Sequence, residues 1–93
     1  VEILNVSKVD GADKLLKFII DTGTEKRQIV SGIAKYYTNI EELVGRKVLA
    51  ITNLEPVTLR NELSQGMLLT TEEKKRTQLI EVSHDVKLGS LVK

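Results

Sequence analysis

Apolar residues in this chain come in short runs rich in Val, Ile and Leu, and each run stops at a turn residue. That pattern belongs to β-strands. The first run covers residues 1–9, the second 15–21 and the third 26–30. Asp21-Thr22-Gly23-Thr24-Glu25 places short polar residues around a glycine and supplies a hairpin between the second and third. Ser31-Gly32 ends the third run. Thr38 or Asn39 then caps a short helix over residues 40–44, with Glu41 and Glu42 in its first turn and Gly45 as its stop. A strand over 46–54 follows and is closed by Pro56, the only proline. Residues 57–64 read as an irregular connection, 66–71 as a fifth strand and 72–77 as a charged loop. Residues 78–82 and 90–92 read as two further short strands, separated by a turn at Lys87-Leu88-Gly89.

About five core strands with one short helix between the third and fourth, in 93 residues, predict an all-β fold. The expectation is a single domain over residues 1–93, built as a small closed Greek-key barrel of the oligonucleotide/oligosaccharide-binding (OB) type. A β-sandwich wants seven comparable strands and no mid-chain helix. A chain of this size buries roughly 60–65 % of its unfolded surface, enough for one core. Cysteine is absent and His84 is the only histidine. Disulfides, thiol chemistry and thiolate zinc sites are thereby excluded, and no metal or cofactor is expected. No run approaches the roughly 18 apolar residues of a membrane span. The start, Val1-Glu2-Ile3-Leu4, is already strand-like and shows no leader. It is not a methionine, so the chain reads as a fragment or a trimmed chain.

Ser83-His84-Asp85 holds the three residue types of a hydrolytic triad, but consecutive positions on a strand point to opposite faces and cannot form a relay. Glu41-Glu42 and Glu72-Glu73 fall in a helix turn and a polar loop, where solvated charge is expected. Fourteen Lys+Arg against thirteen Asp+Glu give a net charge of +1. Binding to nucleic acid therefore requires the cations to gather on one face. Lys26, Arg27, Lys35 and Arg60 can surround one groove of a small barrel, whereas Lys74-Lys75-Arg76 reads as a loop tip. Phe18 is expected in the core. Tyr36-Tyr37 beside Lys35 joins aromatic and basic side chains, either as a stacking platform or as a wedge at the barrel bottom. With aromatics this scarce, recognition of a folded RNA by shape, phosphate and 2′-OH contacts suits the chain better than single-strand stacking. Ser31-Gly32 can offer backbone N–H groups to an anion. Asn53 and the segment Ser64-Gln65-Gly66-Met67 add an amide, a hydroxyl, a close-approach glycine and a soft apolar side chain to the same rim.

The strings ADKLLKF, EKRQIVSGIAKYY, EELVGRKV, NLEPVTLR and SQGMLL stand here in one order. In that order the chain resembles the tRNA-binding domain of methionyl-tRNA synthetases, along its whole length. Similar modules occur as free chaperone-like proteins and in the endothelial-monocyte-activating family. Asp10-Gly11 stands where many relatives have His-Pro, and Asn61 where many have glycine. The resemblance implies an OB barrel that grips the outer corner of tRNA with little sequence preference. It also implies a cytoplasmic homodimer, without catalysis of its own. The ATP-using ligase module lies in cis or in trans. Carried over, the RNA face comprises Ser31, Gly32, Asn53, Arg60, Ser64 and Met67, joined on chemical grounds by Lys26, Arg27 and Lys35. On apolarity, Val1, Ile3, Leu4, Leu91 and Val92 are candidates for self-association. An assembly or peptide-binding module is the alternative.

Overall fold

The computed structural model describes residues 1–74 and 76–93. Three long strands form its frame: β1 (Glu2–Val9), β2 (Ala12–Asp21) and β3 (Lys26–Ser31). β2 begins three residues before the expected run, because the turn at Asp10-Gly11, with Gly11 at φ +76°, is tighter than the sequence suggested. β2 alternates cleanly. Leu16, Phe18 and Ile20 are fully buried, and Leu15, Lys17 and Ile19 face out. In β1 the buried positions are Ile3, Val6 and Val9, three apart. Register shifts between Ile3 and Asn5 and between Lys8 and Val9 insert bulges, which return the next apolar residue to the core. Asn5 Oδ1 accepts the Val6 N–H at 3.0 Å beside the first bulge.

After β3 the chain makes two short 3-10 helices, Ala34–Tyr36 and Ile40–Leu43, in place of the one helix expected. Neither has a side-chain cap. Asn39 turns its amide to Glu42 at 3.3 Å instead. Gly45, at φ +89°, ends the second helix as expected. The strand expected over 46–54 is split into β4 (Lys47–Val48) and β5 (Ala50–Ile51). β6 (Val57–Leu59) and β7 (Glu62–Ser64) form a hairpin where an irregular connection was expected. Arg60 and Asn61 both take positive φ, 50° and 67°, as a two-residue primed turn requires. β8 (Met67–Leu68) pairs with β5. The expected charged loop is also a hairpin, of β9 (Thr70–Glu73) and β10 (Arg76–Leu79), although Lys75 lies outside the described residues. β11 (Glu81–Val82) follows. Residues 90–92 form no strand. The turn before them is present, with Gly89 at φ +85° and its Cβ position 3.2 Å from the Thr22 carbonyl.

β11-β4-β1-β2-β3 is the order of the main antiparallel sheet. The succession β4-β1-β2-β3 is a Greek key. This curled five-stranded sheet carries the OB-like architecture expected. The breaks between β4 and β5, β8 and β9, and β10 and β11 share one cause. Leu49 N–H donates to Ile80 O at 3.0 Å, Ile80 N–H to Leu69 O at 3.1 Å, and Leu69 N–H to Leu49 O at 3.0 Å. Three strands meet at this ring of bonds, so none continues a two-strand ladder through it. Inside, Phe18, Ile3, Leu16, Ile20, Ile29, Leu43 and Val48 make the fully buried core. Tyr37 wedges beneath it and accepts the Leu79 N–H on its hydroxyl at 2.8 Å. Ile3, offered above for self-association, is wholly buried, whereas Leu91 and Val92 are exposed.

Candidate nucleic-acid interface

β3 is the last strand of its sheet, so its outer edge needs partners. Ser64-Gln65 supplies them. Ser64 Oγ accepts the Val30 N–H at 3.0 Å and donates to Gly66 O at 3.2 Å. Gln65 Oε1 accepts the Gln28 N–H at 3.1 Å, and Gln65 N–H donates to Gln28 O at 2.7 Å. Gly66 then passes so close to the neighbouring strand that a Cβ on it would lie 2.7 Å from Ile51 O. The glycine is required there also by its φ of +148°. This staple covers the outer edge of β3. Ser64 is 2 % exposed with its hydroxyl fully used. The structure gives Ser64 a place in the scaffold, between Val30 and Gly66. Gln28 and Gln65 belong to the same staple, and neither was assigned a role from the sequence. A glutamine opposite a strand edge has no local signal.

Arg27 is likewise committed. Its Nη1 donates to Thr52 O at 2.6 Å and to Gln65 O at 3.3 Å, and its Nε meets Glu25 Oε1 at 2.6 Å. The guanidinium ties β3 to the segments that carry Asn53 and Met67. Arg27 is thus joined to the segment that carries Asn53 and, through Gln65, to the one that carries Met67, whereas Ser64 sits beside Val30, one residue from Ser31. Asn53 is exposed, and Met67 is 53 % exposed. Ser31 closes β3 about 13 Å along the strand from Arg27, Gly32 follows it, and Lys35 lies in the first 3-10 helix. Gly32 is exposed, and a Cβ on it would lie 4.0 Å from Leu15 Cδ2 and the Lys14 carbonyl. Gly32 is not among the residues with positive φ, so the left-handed step of an anion nest is absent. Arg60 sits at the tip of the β6–β7 hairpin. The stem of that hairpin is held by Glu62, which meets Lys17 Nζ at 3.3 Å and Gln28 Nε2 at 3.1 Å.

The free cations of the expected set are Lys26, Lys35 and Arg60. All three are exposed and have no ion pair among the described residues. Lys26 opens β3, Lys35 lies in the first 3-10 helix and Arg60 is at the β6–β7 tip. Lys35 Nζ stands 5.0 Å above the Tyr36 ring. Hydrogen bonds with Thr77 first, and then with Lys35, hold the Tyr36 phenol below the usual tyrosine range. The triplet residues Lys74 and Arg76 are exposed on the β9–β10 hairpin. Arg46 pairs with Glu81 at 3.0 Å. Lys47 Nζ donates to the carbonyls of His84 and Val86 and holds down the chain after β11.

His84 and Asp85 sit in a turn, where strand alternation does not apply. They meet at 3.3 Å, with side chains 90 % and 84 % exposed. Ser83 Oγ is turned to the Asp85 N–H at 3.3 Å. Among the described residues no group of three or more His, Cys, Asp or Glu side chains is placed to hold a metal. No helix there is long and apolar enough to cross a membrane.

Sequence comparison matches nearly the whole chain to one stretch of much longer proteins. It is 52 % identical over 91 residues to the methionine–tRNA ligase of Fusobacterium nucleatum, covering 98 % of the chain and 14 % of that protein. It is 51 % identical over 92 residues to methionine–tRNA ligase 1 of Bacillus anthracis, again 14 % of its length. Among solved structures, a protein related to methionyl-tRNA synthetase from Pyrococcus horikoshii is similar at a TM-score of 0.92 and 36 % identity, over 99 % of this chain and 84 % of that one. The chaperone CsaA of Bacillus anthracis shares the fold, at a TM-score of 0.85 and 20 % identity over 99 % of this chain and 85 % of that one. Matched over residues 1–91, the chain belongs to the family described as "Putative tRNA binding domain".

Proposed function

We propose that this chain is a non-catalytic tRNA-binding module that tethers tRNA for a methionine–tRNA ligase. The observation that carries this reading is the match of residues 1–91 to the tRNA-binding family, together with its correspondence to 14 % of those ligases. The remainder of such an enzyme, with its ATP-dependent chemistry, is a partner in cis or in trans. Lys26, Lys35 and Arg60 supply phosphate contacts. Ser31, Gly32, Asn53 and Met67 complete the rim by shape and hydrogen bonding. Arg27 and Ser64 hold the scaffold from behind. The module works in the cytoplasm as a homodimer, with exposed Leu91 and Val92 as candidates for its contact. Two copies add avidity to a weak grip and raise the local concentration of tRNA.

A filter-binding titration of tRNA at several salt concentrations tests this. Neutralising about four phosphates gives a log–log slope of roughly −3. A flat salt profile refutes the reading. One observation favours a second reading as an assembly or peptide-binding module. Leu54, Val57, Leu59, Leu63 and Met67 are all exposed within one 14-residue stretch, residues 54–67. Suppression of client aggregation in light scattering, without a tRNA gel shift, distinguishes it.

A further inference from the structure

The β1–β2 hairpin and the connection through the two 3-10 helices enclose a groove of about 630 Å³, a volume within the usual range of small-ligand sites. Its floor is apolar, from buried Val9, Ala12 and Leu16 and half-buried Ala34, with Tyr37 on one wall. Its rim carries Lys8 and Lys35 together with Asp10 and Asp13. All four are exposed, and none is in an ion pair among the described residues. A site for phosphate alone gains from the lysines and loses to the carboxylates. A ligand that uses all three features has a flat apolar ring, amino or imino donors on its edge, and an attached phosphate. Those are the features of a nucleotide.

We propose that this groove receives one unstacked nucleotide. The ring lies on the apolar floor, Asp10 and Asp13 accept hydrogen bonds from its edge, and Lys8 and Lys35 meet its phosphate. Lys35 is already steadied at the mouth by the Tyr36 ring. The proposal rests on the tRNA reading for the origin of that nucleotide. It adds a base contact to a grip otherwise made of backbone contacts. The carboxylates favour bases with an exocyclic amine over uracil.

Amide shifts of the isotopically labelled chain test the groove, with AMP, CMP, GMP and UMP as probes and inorganic phosphate as the anion control. The mononucleotides are expected to move amides in residues 9–12 and 34–38, UMP least, while phosphate leaves residues 9–12 in place. Added tRNA is expected to displace the mononucleotide. Mononucleotides that remain bound under saturating tRNA overturn the groove as an RNA subsite. The double variant Asp10→Asn/Asp13→Asn makes the chain more positive by two charges. Attraction for phosphate alone then strengthens tRNA binding. Base recognition weakens it by about 5–10-fold and erases the preference over UMP. Equal or tighter tRNA binding by the variant overturns the proposal, as does an identical shift pattern with phosphate. Both aspartates are exposed, and an unchanged thermal transition verifies that the variant folds. A wild-type chain that binds no tRNA defeats the underlying reading. One that binds tRNA with residues 9–12 unmoved defeats this inference alone.

Discussion

Replacing Ser64 by alanine removes a hydroxyl that is 2 % exposed and bonded twice, from Val30 N–H and to Gly66 O. Alanine keeps the shape and leaves Val30, itself 6 % exposed, with an N–H that neither water nor protein satisfies. An orphaned buried donor costs about 1–3 kcal/mol. In a domain of this size each kcal/mol lowers Tm by about 4–8 °C, so a central cost of about 2 kcal/mol predicts a fall of about 8–16 °C. Differential scanning calorimetry measures it. A tRNA titration well below the variant's Tm is the second assay, and it should return the wild-type affinity. A variant with wild-type Tm and reduced tRNA affinity refutes the argument, because Ser64 would then be a ligand contact rather than a staple.

Gly66→Ala meets the Ile51 carbonyl at 2.7 Å and takes an unfavourable φ as well. Its stability in urea is expected to fall by more than about 2 kcal/mol, and a loss under about 0.5 kcal/mol contradicts the close approach. Lys35→Ala and Arg60→Ala should weaken all tRNAs about equally and each flatten the log–log salt slope by about one. Arg27→Ala should instead lower stability, because its guanidinium is held by the carbonyls of Thr52 and Gln65. Strong discrimination among tRNAs by the Lys35 or Arg60 variant in competition binding speaks against phosphate contact. Burial first, and then Lys47, hold the Val1 ammonium below its usual 8.0, so the unfolded chain binds that proton more tightly. The contribution of this group to stability should therefore be fully present above about pH 8 and be lost as pH falls through the lowered folded value. N-terminal acetylation should remove that dependence in chemical denaturation, and its persistence after acetylation assigns it elsewhere.

The parts legible in sequence are those fixed by neighbours along the chain. Leu16, Phe18 and Ile20 alternate in sequence and in space, and Gly45 stops a helical turn as its lack of a side chain allows. The hairpin at residues 57–64 was hidden because its turn is Arg60-Asn61, and arginine at positive φ gives no signal of the kind glycine gives. The β9–β10 hairpin was hidden because both of its faces are polar, which leaves no alternation to read. Residues 46–54 look like one strand because nothing in them announces that Leu49 bonds to two other strands. At the candidate site, residue type alone could not assign roles. A serine that touches RNA and a serine that closes a strand edge are the same letter. Only burial by the distant Val30 separates them.

The closed circuit of Leu49, Leu69 and Ile80 has a consequence for how this chain tolerates changes of length. Each of the three amides donates to the carbonyl of the next, so the alignments of three ladders are set jointly. Adding or deleting one residue just before any of them slides one ladder and breaks two bonds of the circuit, and it turns the following side chains inside out. The tips at Gly11, Gly23 and Asn61 stand outside the circuit, so a change of length there leaves its three bonds in place. Variation in length is therefore confined to the hairpin ends, while the residue count entering the circuit stays fixed.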